Sequence, residues 1–474
     1  MHALAVFGVR GRLLPRALVL LLILLPLADG HTAERAAAAG TTYYVDCIGG
    51  NDGNSGTASK LAWHSLSRAN QAVLSPGESL LLKRGCTWTG PLTPWWQGSA
   101  TAPITIGAYG SGELPMIQSG TNGIDAVFVT GSYLILESLS ARGLPPRRDA
   151  RCENAAVGQI SGFRFAGPAA YNTLRASTAT GFTEGVKIER SSHHNRILHN
   201  SFLSNTMMAQ LTTSPGDDYG AFGANVHGDD NEIAYNVFSG HHACSYDYTS
   251  DGSAVEIFGG QRNLVHHNRS SDNQAFVELG ASRSSANIFA YNLVTSSLAG
   301  ATFLVTRGPN DGFGPVFGTQ AYNNTVYLTG SNATAVVCVG GCSADILTLK
   351  NSIIWSEYQA AYVDQAFDEG YNIYWRSDGS PIFKLAPMSA TSKVIDPQLV
   401  SPSGGDFHLA ATSPARDSGT IASVQAGFTS DFDGAAVPQG SSVDIGAYEF
   451  ARPARAPSQT KRRLVRASTS GRRT

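Results

Sequence analysis

The sequence predicts an all-β fold, a parallel β-helix. The prediction rests on an internal repeat, on the strand-like character of each copy and on the lack of helical patterns between copies. The repeat occupies residues 172–356 and consists of an Asn, an alternation of apolar and polar residues, and a second Asn. Its clearest copies are 195–200, 231–236, 263–268 and 287–292, and weaker copies are 321–326 and 349–353. The second Asn recurs at 200, 236, 268, 292, 324 and 351, a period typical of solenoids, propellers and arrays.

Each copy is short, β-branched or aromatic, and bounded by Gly, Asn, Asp or Ser, which is typical of strands and turns. No amphipathic stretch of helical length separates the copies, so strands are expected to stack directly on strands. In such a solenoid each coil buries its apolar side chains on the coils above and below. The recurrent Asn predicts a turn in which side-chain amides hydrogen-bond along a column.

The composition agrees with this fold. A chain of 474 residues exceeds an ordinary single domain, but the core of a solenoid grows in one dimension and escapes that limit. The 51 Gly suit many tight turns, and 42% hydrophobic residues are enough for a core. Global disorder is therefore excluded.

Residues 1–30 predict a secretory signal peptide. Three basic residues, Arg10, Arg12 and Arg16, precede the apolar run 17–28, and small residues follow to Gly30. The apolar run is short for a membrane span, so a cleaved signal is favoured over an uncleaved anchor. We expect a secreted, extracellular protein with no membrane span after signal removal.

Charge is distributed unevenly along the chain: the two ends are basic and the remainder is acidic. Residues 451–474 hold eight basic residues and no acidic one, and they are rich in Pro, Ser and Arg. They predict a disordered tail, and a solvated tail is favoured over one that binds an anionic surface. Residues 31–450 hold 23 basic and 35 acidic residues, a net charge of −12. This charge argues against a nucleic-acid partner.

The six Cys residues predict disulfides, because the chain is expected to be exported and their number is even. Six Cys allow 15 connectivities. Cys338 and Cys342 could close a small local loop, and Cys47 with Cys86 would tie the N-terminal segment to the first coils. Those pairings leave Cys152 with Cys244. A zinc site is the alternative, but no Cys–His spacing supports it.

The N-terminal segment predicts a cap on the first coil. Strands at 42–46 and 79–83 flank a short helix over 65–74, in which Ser65 is a plausible N-cap and one face is apolar. A helix at the open end of a solenoid covers apolar core and unpaired strand edges.

Six segments carry a family resemblance: Tyr43-Tyr-Val-Asp46, Gly49-Gly-Asn-Asp-Gly-Asn-Ser-Gly56, Ala62-Trp-His-Ser-Leu66, Pro76-Gly-Glu-Ser-Leu-Leu-Leu-Lys-Arg-Gly85, Pro103-Ile-Thr-Ile-Gly-Ala-Tyr-Gly110 and Asp444-Ile-Gly-Ala-Tyr-Glu449. The first four resemble the N-terminal cap of secreted right-handed parallel β-helix proteins of the pectate-lyase-like superfamily, and the last two are similar to recurrent pieces of the same proteins. The resemblance spans residues 41–450 and implies the fold. It does not select a chemistry, because the superfamily includes lyases, hydrolases, epimerases and proteins without known activity.

The rest of the chain completes the predicted coils. Strands are expected at 104–106, 126–129 and 134–136. Long insertions are expected at 143–154, 207–224 and 239–252, and in repeat folds insertions cluster on one face, often the binding face. Residues 357–393 look irregular, and 396–450 are expected to form the last coils and a C-terminal cap.

One column of outward side chains is the candidate site. Aligning each strand on its following Asn places Lys187, Asn225, Glu256, Glu278 and Val305 in register, pointing outward between inward apolar residues. Glu256 and Glu278 then lie on adjacent coils, about 4.8 Å apart. That spacing is near the roughly 5–5.5 Å carboxyl separation of a retaining glycosidase, and it also suits oxygen ligands of Ca²⁺.

The insertions supply further candidates. Two acidic residues there, Asp247 and Asp251, together with Glu256 and Glu278 of the column, predict a Ca²⁺ site. Five polar or aromatic residues are candidates for binding substrate: Asn225, His227, Tyr246, Tyr248 and Asp272. The His pairs 193–194, 241–242 and 266–267 invite a metal site, but in neighbouring strand positions the two rings should point to opposite faces. Metal binding by these pairs is therefore disfavoured.

Lys187 and Arg307 are the candidate bases of a lyase. The resemblance implies this chemistry, because lyases of the superfamily commonly use a Lys or Arg base while Ca²⁺ acidifies the proton beside a uronate carboxylate. Arg307 could also bind a sugar carboxylate in a bidentate manner. The competing interpretation of Lys187 is a structural ion pair with Glu184 or Glu189.

Two functions therefore remain open at this point. The first is an extracellular enzyme, expected to be a monomer, that cleaves a polysaccharide with Glu256, Glu278, Lys187 and Arg307 as catalytic residues. Hydrolysis and elimination are both compatible with these residues. The second is a non-catalytic polysaccharide- or cell-wall-binding protein, motivated by the basic tail and the absence of a superfamily catalytic signature.

Overall fold

The computed structural model of the protein describes residues 40–119, 124–143, 158–386 and 388–450. In these ranges the chain winds into a parallel β-helix, which confirms the predicted fold class. The predicted signal peptide (1–30) and basic tail (451–474) lie outside the described residues. Among the described residues, no helix is long and apolar enough to cross a bilayer.

Three long parallel sheets, here called sheets 1, 2 and 3, form the coils. Sheet 1 contains the strands Thr42–Val45, Ser79–Lys83, Ile104–Tyr109, Leu134–Glu137, Thr173–Arg175, Arg196–Leu198, Glu232–Ala234, Leu264–His266, Ile288–Ala290, Thr319–Tyr322, Leu347–Lys350 and Asp368–Gly370. Sheet 2 contains Thr87–Thr89, Met116–Gln118, Ser140–Arg142, Thr178–Thr180, Ser201–Leu203, Val237–Ser239, Arg269–Ser271, Leu293–Ser296, Thr325–Leu328, Ile353–Ser356, Ile373–Trp375 and Lys393–Val394. Sheet 3 contains Val127–Val129, Ser161–Phe165, Glu184–Ile188, Phe222–Val226, Ser253–Phe258, Ala275–Gly280, Thr302–Arg307, Thr334–Val339, Gln359–Val363 and Phe383–Leu385.

Short elements lie outside these sheets. The antiparallel pairs join Met208–Gln210 to Tyr219–Gly220, Ala243–Ser245 to Thr249–Asp251, and Leu399–Ser401 to Asp406–Leu409. The helices are Ser59–Leu61 and Pro402–Gly404, which are 3₁₀, and Leu66–Asn70 and Ala422–Gln425, which are α.

Inward side chains of all three sheets build one continuous core. In sheet 1, for example, Ile197, Ile233, Val265 and Phe289 lie in register on four successive coils, and each is fully buried. Burying one such side chain is worth about 1.5–3 kcal/mol. Because every coil repeats this contribution, stability accumulates along the axis of the solenoid.

The predicted Asn columns are present as two ladders of buried side-chain amides. The first ladder contains Asn172, Asn195, Asn231, Asn263 and Asn287, and the second contains Asn200, Asn236, Asn268, Asn292 and Asn324. Along both ladders each Asn donates its side-chain N–H to the side-chain oxygen of the next, over N–O distances of 3.0–3.2 Å. The same oxygen also accepts the backbone N–H of the preceding Asn, as in Asn200 to Asn236 at 2.9 Å. Each rung therefore ties a corner of one coil to the next.

A left-handed residue precedes each Asn of the second ladder and turns the corner. His199, Tyr235, His267 and Tyr291 have φ between 52° and 59°, and their rings stack on one another outside the coil, with centroids 4.9–5.4 Å apart. The left-handed turn also brings the rings of His266 and His267 together, with Nδ1 atoms 2.8 Å apart. The expectation that neighbouring His rings point to opposite faces was wrong here, because it assumed extended backbone.

Asn351 is not part of the second ladder, which corrects one assignment of the repeat. The ladder continues from Asn324 through Ser352 to Asn372: Asn324 N–H donates to Ser352 Oγ at 3.2 Å, and Ser352 N–H donates to Asn372 Oδ1 at 2.8 Å. Asn351 occupies the left-handed corner position, with φ 56°. Its side chain donates to the carbonyl of Thr420 at 2.8 Å.

The N-terminal cap is a shorter helix than the sequence predicted. The helix Leu66–Asn70 begins at Ser65, whose hydroxyl accepts the Arg68 N–H at 3.1 Å. Leu66 and Ala69 are buried over the first coil, whereas Val73 lies beyond the helix and is exposed. The disulfides Cys47–Cys86 and Cys338–Cys342 are present as predicted. The predicted pairing of Cys152 with Cys244 lies outside the described residues, because Cys152 is not among them.

The C-terminal part of the chain departs from the prediction in two ways. Residues 359–394, which looked irregular, contribute regular strands to all three sheets. Residues 399–450, which were expected to form the last coils, fold back along the outside of earlier coils. Phe428 packs on Tyr291, and Asn323 donates its side-chain N–H to the carbonyl of Asp444 at 2.8 Å. The apolar periodicity of this segment therefore serves packing on the solenoid's surface and not its core.

We predict that Asn236→Ala destabilises the fold by about 2–4 kcal/mol. The substitution removes the acceptor of the Asn200 side chain and the donor to the carbonyl of Ile197, and each buried group left unpaired costs about 1–3 kcal/mol. Urea unfolding followed by circular dichroism measures the change. The control is Asn310→Ala at an exposed Asn, which should stay within about 0.5 kcal/mol of the native chain. Equal stability of the two variants would contradict a structural role for the ladder.

Candidate functional site

The outer face of sheet 3 carries the candidate site, and insertions flank it. The two antiparallel pairs at 208–220 and 243–251 both leave the coil at the corner between sheets 2 and 3. This position confirms that the insertions predicted at 207–224 and 239–252 share one side. The insertion predicted at 143–154 lies almost wholly outside the described residues. On the opposite edge of sheet 3, a loop over residues 308–318 follows the strand Thr302–Arg307.

The predicted outward column is confirmed residue by residue. Lys187 is in register with Asn225, Asn225 with Glu256, Glu256 with Glu278, and Glu278 with Val305. The residues on either side of each column member point into the core and are fully buried. Glu256 and Glu278 therefore lie side by side on neighbouring strands, about 4.8 Å apart at the backbone.

Arg307 holds Glu278 in place. Its guanidinium pairs with the Glu278 carboxylate, donates to the carbonyl of Leu279 at 2.5 Å, and lies 3.6 Å from the carboxylate of Asp311. Arg307 is 15% exposed and Glu278 is 30% exposed, so the pair is partly shielded from water. The ion pair and the contact with Asp311 fix the position of this guanidinium beside Glu278.

Glu256 lies in a different electrostatic environment from Glu278. An edge of its side chain reaches solvent, but protein surrounds the remainder, and this burial raises the pKa of Glu256 well above its usual range. The charges of Glu278 and Asp251 raise it further, and Arg307 opposes them. The hydroxyl of Ser253 donates to the Glu256 carboxyl group at 3.3 Å. This environment therefore favours the protonated form of Glu256.

Asp251 is the third carboxyl group of the cluster. It is the last residue of the second hairpin, the antiparallel pair of Ala243–Ser245 and Thr249–Asp251. Its carboxylate accepts the Gly252 N–H at 2.7 Å. Burial raises the pKa of Asp251 to about 8, and the nearby charge of Glu278 adds to this effect. Asp251 and Glu256 therefore both have a raised pKa near the Glu278–Arg307 ion pair.

Aromatic side chains line the edge of this cluster. The guanidinium of Arg307 lies 5.5 Å from the ring centroid of Phe313, and the rings of Phe313 and Phe258 meet edge to face at 6.2 Å. Gly280 makes room for Phe258, since a Cβ there would lie 2.8 Å from the Phe258 ring. Phe258 and Phe313 are 39% and 43% exposed. They offer an apolar surface on which a sugar ring could stack.

Lys187 does not lie beside the Glu256–Glu278 pair. It is two coils from Glu256 in the register, is 5% exposed, and donates to the carboxylate of Glu184 at 3.1 Å. Glu184 is fully buried and also accepts from Ser161 at 2.7 Å and Asn225 at 2.7 Å. The competing interpretation of Lys187 as a structural ion pair is the one that the structure displays.

The predicted substrate-binding residues are spread over three places. Asn225 and His227 lie next to Glu256 and Phe258 on sheet 3, and burial lowers the pKa of His227 to about 4. Tyr248 is half exposed, and its pKa is raised by burial and by the charges of Asp251, Asp247 and Glu278. Two further candidates, Tyr246 and Asp272, take part in turns: the Tyr246 N–H donates to Asp218, and Asp272 accepts from Ser297.

The predicted Ca²⁺ ligands separate into two groups. Asp251 and Glu256 lie near Glu278, which the cation Arg307 already pairs, and this arrangement fits a second cation poorly. Asp247 instead belongs to a cluster with Asp217 and Asp218, in which one carboxylate oxygen of each lies within 4.8 Å of the others. Among the described residues this cluster has the donor set that could hold a metal ion such as Ca²⁺.

Three important residues of this region were missed by sequence reasoning. Glu184 was considered only as a partner for Lys187, although its burial makes it the centre of a network. Asp311 and Phe313 lie in the loop after sheet 3 and have no place in the alternation of the strands. The one available signal was their short distance in sequence from Arg307, because a loop that returns over its own strand brings such residues back to it.

Comparison with known proteins gives partial matches. No protein-family model matches the chain. Over 100 residues it is 35% identical to lacto-N-biosidase of Bifidobacterium longum subsp. longum, covering 20% of this chain and 6% of that protein. Over 83 residues it is 37% identical to alpha-1,3-galactosidase A of Akkermansia muciniphila, covering 17% of this chain and 14% of that protein. The chain therefore spans a small part of the length of these curated relatives.

A solved structure matches over most of its length. The crystal structure of pectate lyase Pel9A superposes with a TM-score of 0.57, covering 86% of this chain and 96% of that chain at 18% sequence identity. At this identity the similarity concerns the fold. Together with the three all-parallel sheets, it shows that this chain has a right-handed parallel β-helix fold like that of this pectate lyase.

Proposed function

We propose that the protein is a glycoside hydrolase that cleaves a glycan on the outer face of sheet 3. The observation that carries the proposal is the Glu256–Glu278 pair, two carboxyl groups in register on adjacent strands: the pKa of Glu256 is raised, and Glu278 is paired with Arg307. Such a division between neighbouring titratable groups assigns one as the acid and the other as the base or nucleophile.

In the proposed reaction Glu256 is the general acid. Its raised pKa favours the protonated carboxyl group, which transfers its proton to the glycosidic oxygen as the bond to the leaving sugar breaks. Glu278, paired with Arg307, is the nucleophile that attacks the anomeric carbon. Water then hydrolyses the glycosyl–enzyme ester with Glu256, now deprotonated, as the base. The spacing of adjacent strands is near the roughly 5–5.5 Å carboxyl separation of retaining enzymes.

Elimination is less well supported by the arrangement. A lyase needs a free base beside the sugar carboxylate, but Lys187 is committed to the buried Glu184 and Arg307 to Glu278. Arg164, which is in register with Lys187 on the preceding coil, is likewise paired, with Asp125 and Glu189. The two relatives found by sequence are named as glycosidases, which supports hydrolysis over the alternative of binding without turnover.

The place of action is part of the same proposal. The N-terminal pattern of residues 1–30 and the two disulfides fit an exported protein. A soluble or wall-bound extracellular glycan is then the substrate. Ca²⁺ bound at Asp217, Asp218 and Asp247 would join the two hairpins beside the site, and no step of the proposed reaction depends on it.

We predict that the two glutamates fail in different ways when substituted. Glu256→Gln should lower kcat/KM for a natural glycan by about 10²–10⁴-fold, but much less for an aryl glycoside whose leaving group needs no proton. Glu278→Gln should abolish hydrolysis of both substrates, because no nucleophile remains. Reducing-sugar assays with both substrates measure the difference.

The control for this pair is Glu113→Gln at an exposed Glu on an early coil, which should leave both activities unchanged. Full activity of the Glu256→Gln, Glu278→Gln double variant would remove the proposal. A product with an unsaturated uronate end would replace hydrolysis by elimination.

We predict that the Asp251 carboxyl makes stability fall as pH rises. Its folded-state pKa of about 8 lies above the unfolded value, so between about pH 4 and 8 the folded chain holds a proton that the unfolded chain has lost. The stabilisation that this proton gives the folded state is fully present below the pKa of Asp251 in the unfolded chain. It decreases as pH rises and is lost once pH passes the folded-state value of about 8. Asp251→Asn should therefore melt at a less pH-dependent temperature than the native chain.

Calorimetry at pH 7 and pH 8.5 tests this point, because the lowered pKa values of His227, His241 and His267 lie well below that window. Asp345→Asn, at an exposed Asp, is the control and should melt like the native chain at both pH values. Parallel melting curves for all three proteins would show that Asp251 is not protonated in the folded state.

A further inference from the structure

Two polar groups beside the acid pair are not used by the proposed reaction. Glu184 is a fully buried carboxyl group, and Asn225 is 3% exposed. Asn225 lies in register between Lys187 on one side and Glu256 on the other. The side-chain oxygen of Asn225 is closed to solvent and has no hydrogen-bond partner among the described residues.

The orientation of the Asn225 amide is fixed by chemistry. Glu184 is acceptor-only when ionised, and its carboxylate takes three donors: Ser161 Oγ at 2.7 Å, Lys187 Nζ at 3.1 Å and Asn225 Nδ2 at 2.7 Å. The Asn225 NH₂ group must therefore face Glu184, and Lys187 balances the charge of that carboxylate. The amide oxygen of Asn225 is then turned away from Glu184 and cannot exchange places with the nitrogen.

A buried acceptor of this kind needs a donor, and the register supplies one. The neighbour of Asn225 on the next coil is Glu256, whose buried environment favours the protonated carboxyl group. One oxygen of Glu256 accepts from Ser253 at 3.3 Å, which leaves the other oxygen to bear the hydroxyl. A protonated carboxyl group is a strong donor, whereas an ionised one could only accept.

We propose that Asn225 is a positioning residue for the proton donor: its side-chain oxygen accepts the hydroxyl hydrogen of Glu256, while Glu184 locks its amide group. The inference rests on the proposed function for its catalytic meaning, since it describes how the acid is held before the glycan arrives. When the glycosidic oxygen enters, the hydroxyl turns from Asn225 to the substrate and delivers the proton there. Lys187 then acts indirectly, through its ion pair with Glu184.

The test follows the Glu256 proton directly, without substrate. Infrared difference spectra from pH 4 to pH 10 report the carbonyl band of protonated carboxyl groups, and the band lost in Glu256→Gln is that of Glu256. A hydrogen bond to the neutral form opposes ionisation. Asn225→Leu should therefore lower the midpoint of this band by about one pH unit. Asn225→Asp keeps the size of the side chain and adds a charged acceptor, so it should raise the midpoint.

His227→Phe is the matched control, because His227 follows the same strand and also has a buried nitrogen without a partner among the described residues. It should leave the Glu256 midpoint in place. The proposal is overturned if Asn225→Leu and Asn225→Asp move the midpoint in the same direction, or if no protonated band disappears in Glu256→Gln. If Asn225→Leu does not fold, a midpoint that stays unchanged or falls in Asn225→Asp overturns it as well.

Failure of the proposed function gives a different result. A native chain that cleaves no glycan but shows the opposite midpoint shifts would retain the Glu184–Asn225–Glu256 arrangement and lose only the hydrolase proposal. If the native chain cleaves glycans and neither Asn225 variant moves the Glu256 midpoint, the hydrolase proposal stands and the proposed role of Asn225 is overturned.

Discussion

The hydrogen-bonded Asn ladders at the corners of the coils are the constraint on which the rest of the structure depends. Each rung joins side-chain and backbone groups of adjacent coils, and every partner is buried, so a slip of one residue would leave several polar groups unpaired. In a β-strand such a slip would also turn every inward side chain outward. The ladders thus fix the register, and the register places Glu256 beside Glu278.

This dependence explains why the sequence predicted the site column so well. The Asn marks a fixed position in each coil, and counting back from it assigns inward and outward faces by simple alternation. The same method failed at Asn351. This residue occupies the left-handed corner position, and the ladder position belongs to the next residue, Ser352. It also failed for residues 399–450, because an apolar alternation does not reveal whether a strand joins a coil or packs outside it.

The partners of each charged residue could not be predicted from alternation. Pairing depends on which side chains reach across from loops, as Asp251 does from the second hairpin and Asp311 from the loop after sheet 3. Lys187 is an example. Its outward position was predicted correctly, but its side chain pairs with Glu184, three residues earlier on the same strand. Burial of Glu184 turns an apparent surface lysine into part of an internal network.

The return of the C-terminal segment has a consequence for the order in which the molecule is built. Asn323 is hydrogen-bonded to Asp444, 121 residues later in the chain. Tyr291 is hydrogen-bonded to Ser423, 132 residues later. Because the ribosome delivers the chain from its N-terminus, early coils can form one after another while synthesis continues. The central coils, however, gain their outer brace only when almost the whole chain has emerged. The contacts that hold the central coils from outside are therefore the last to form, because they require the final residues of the chain.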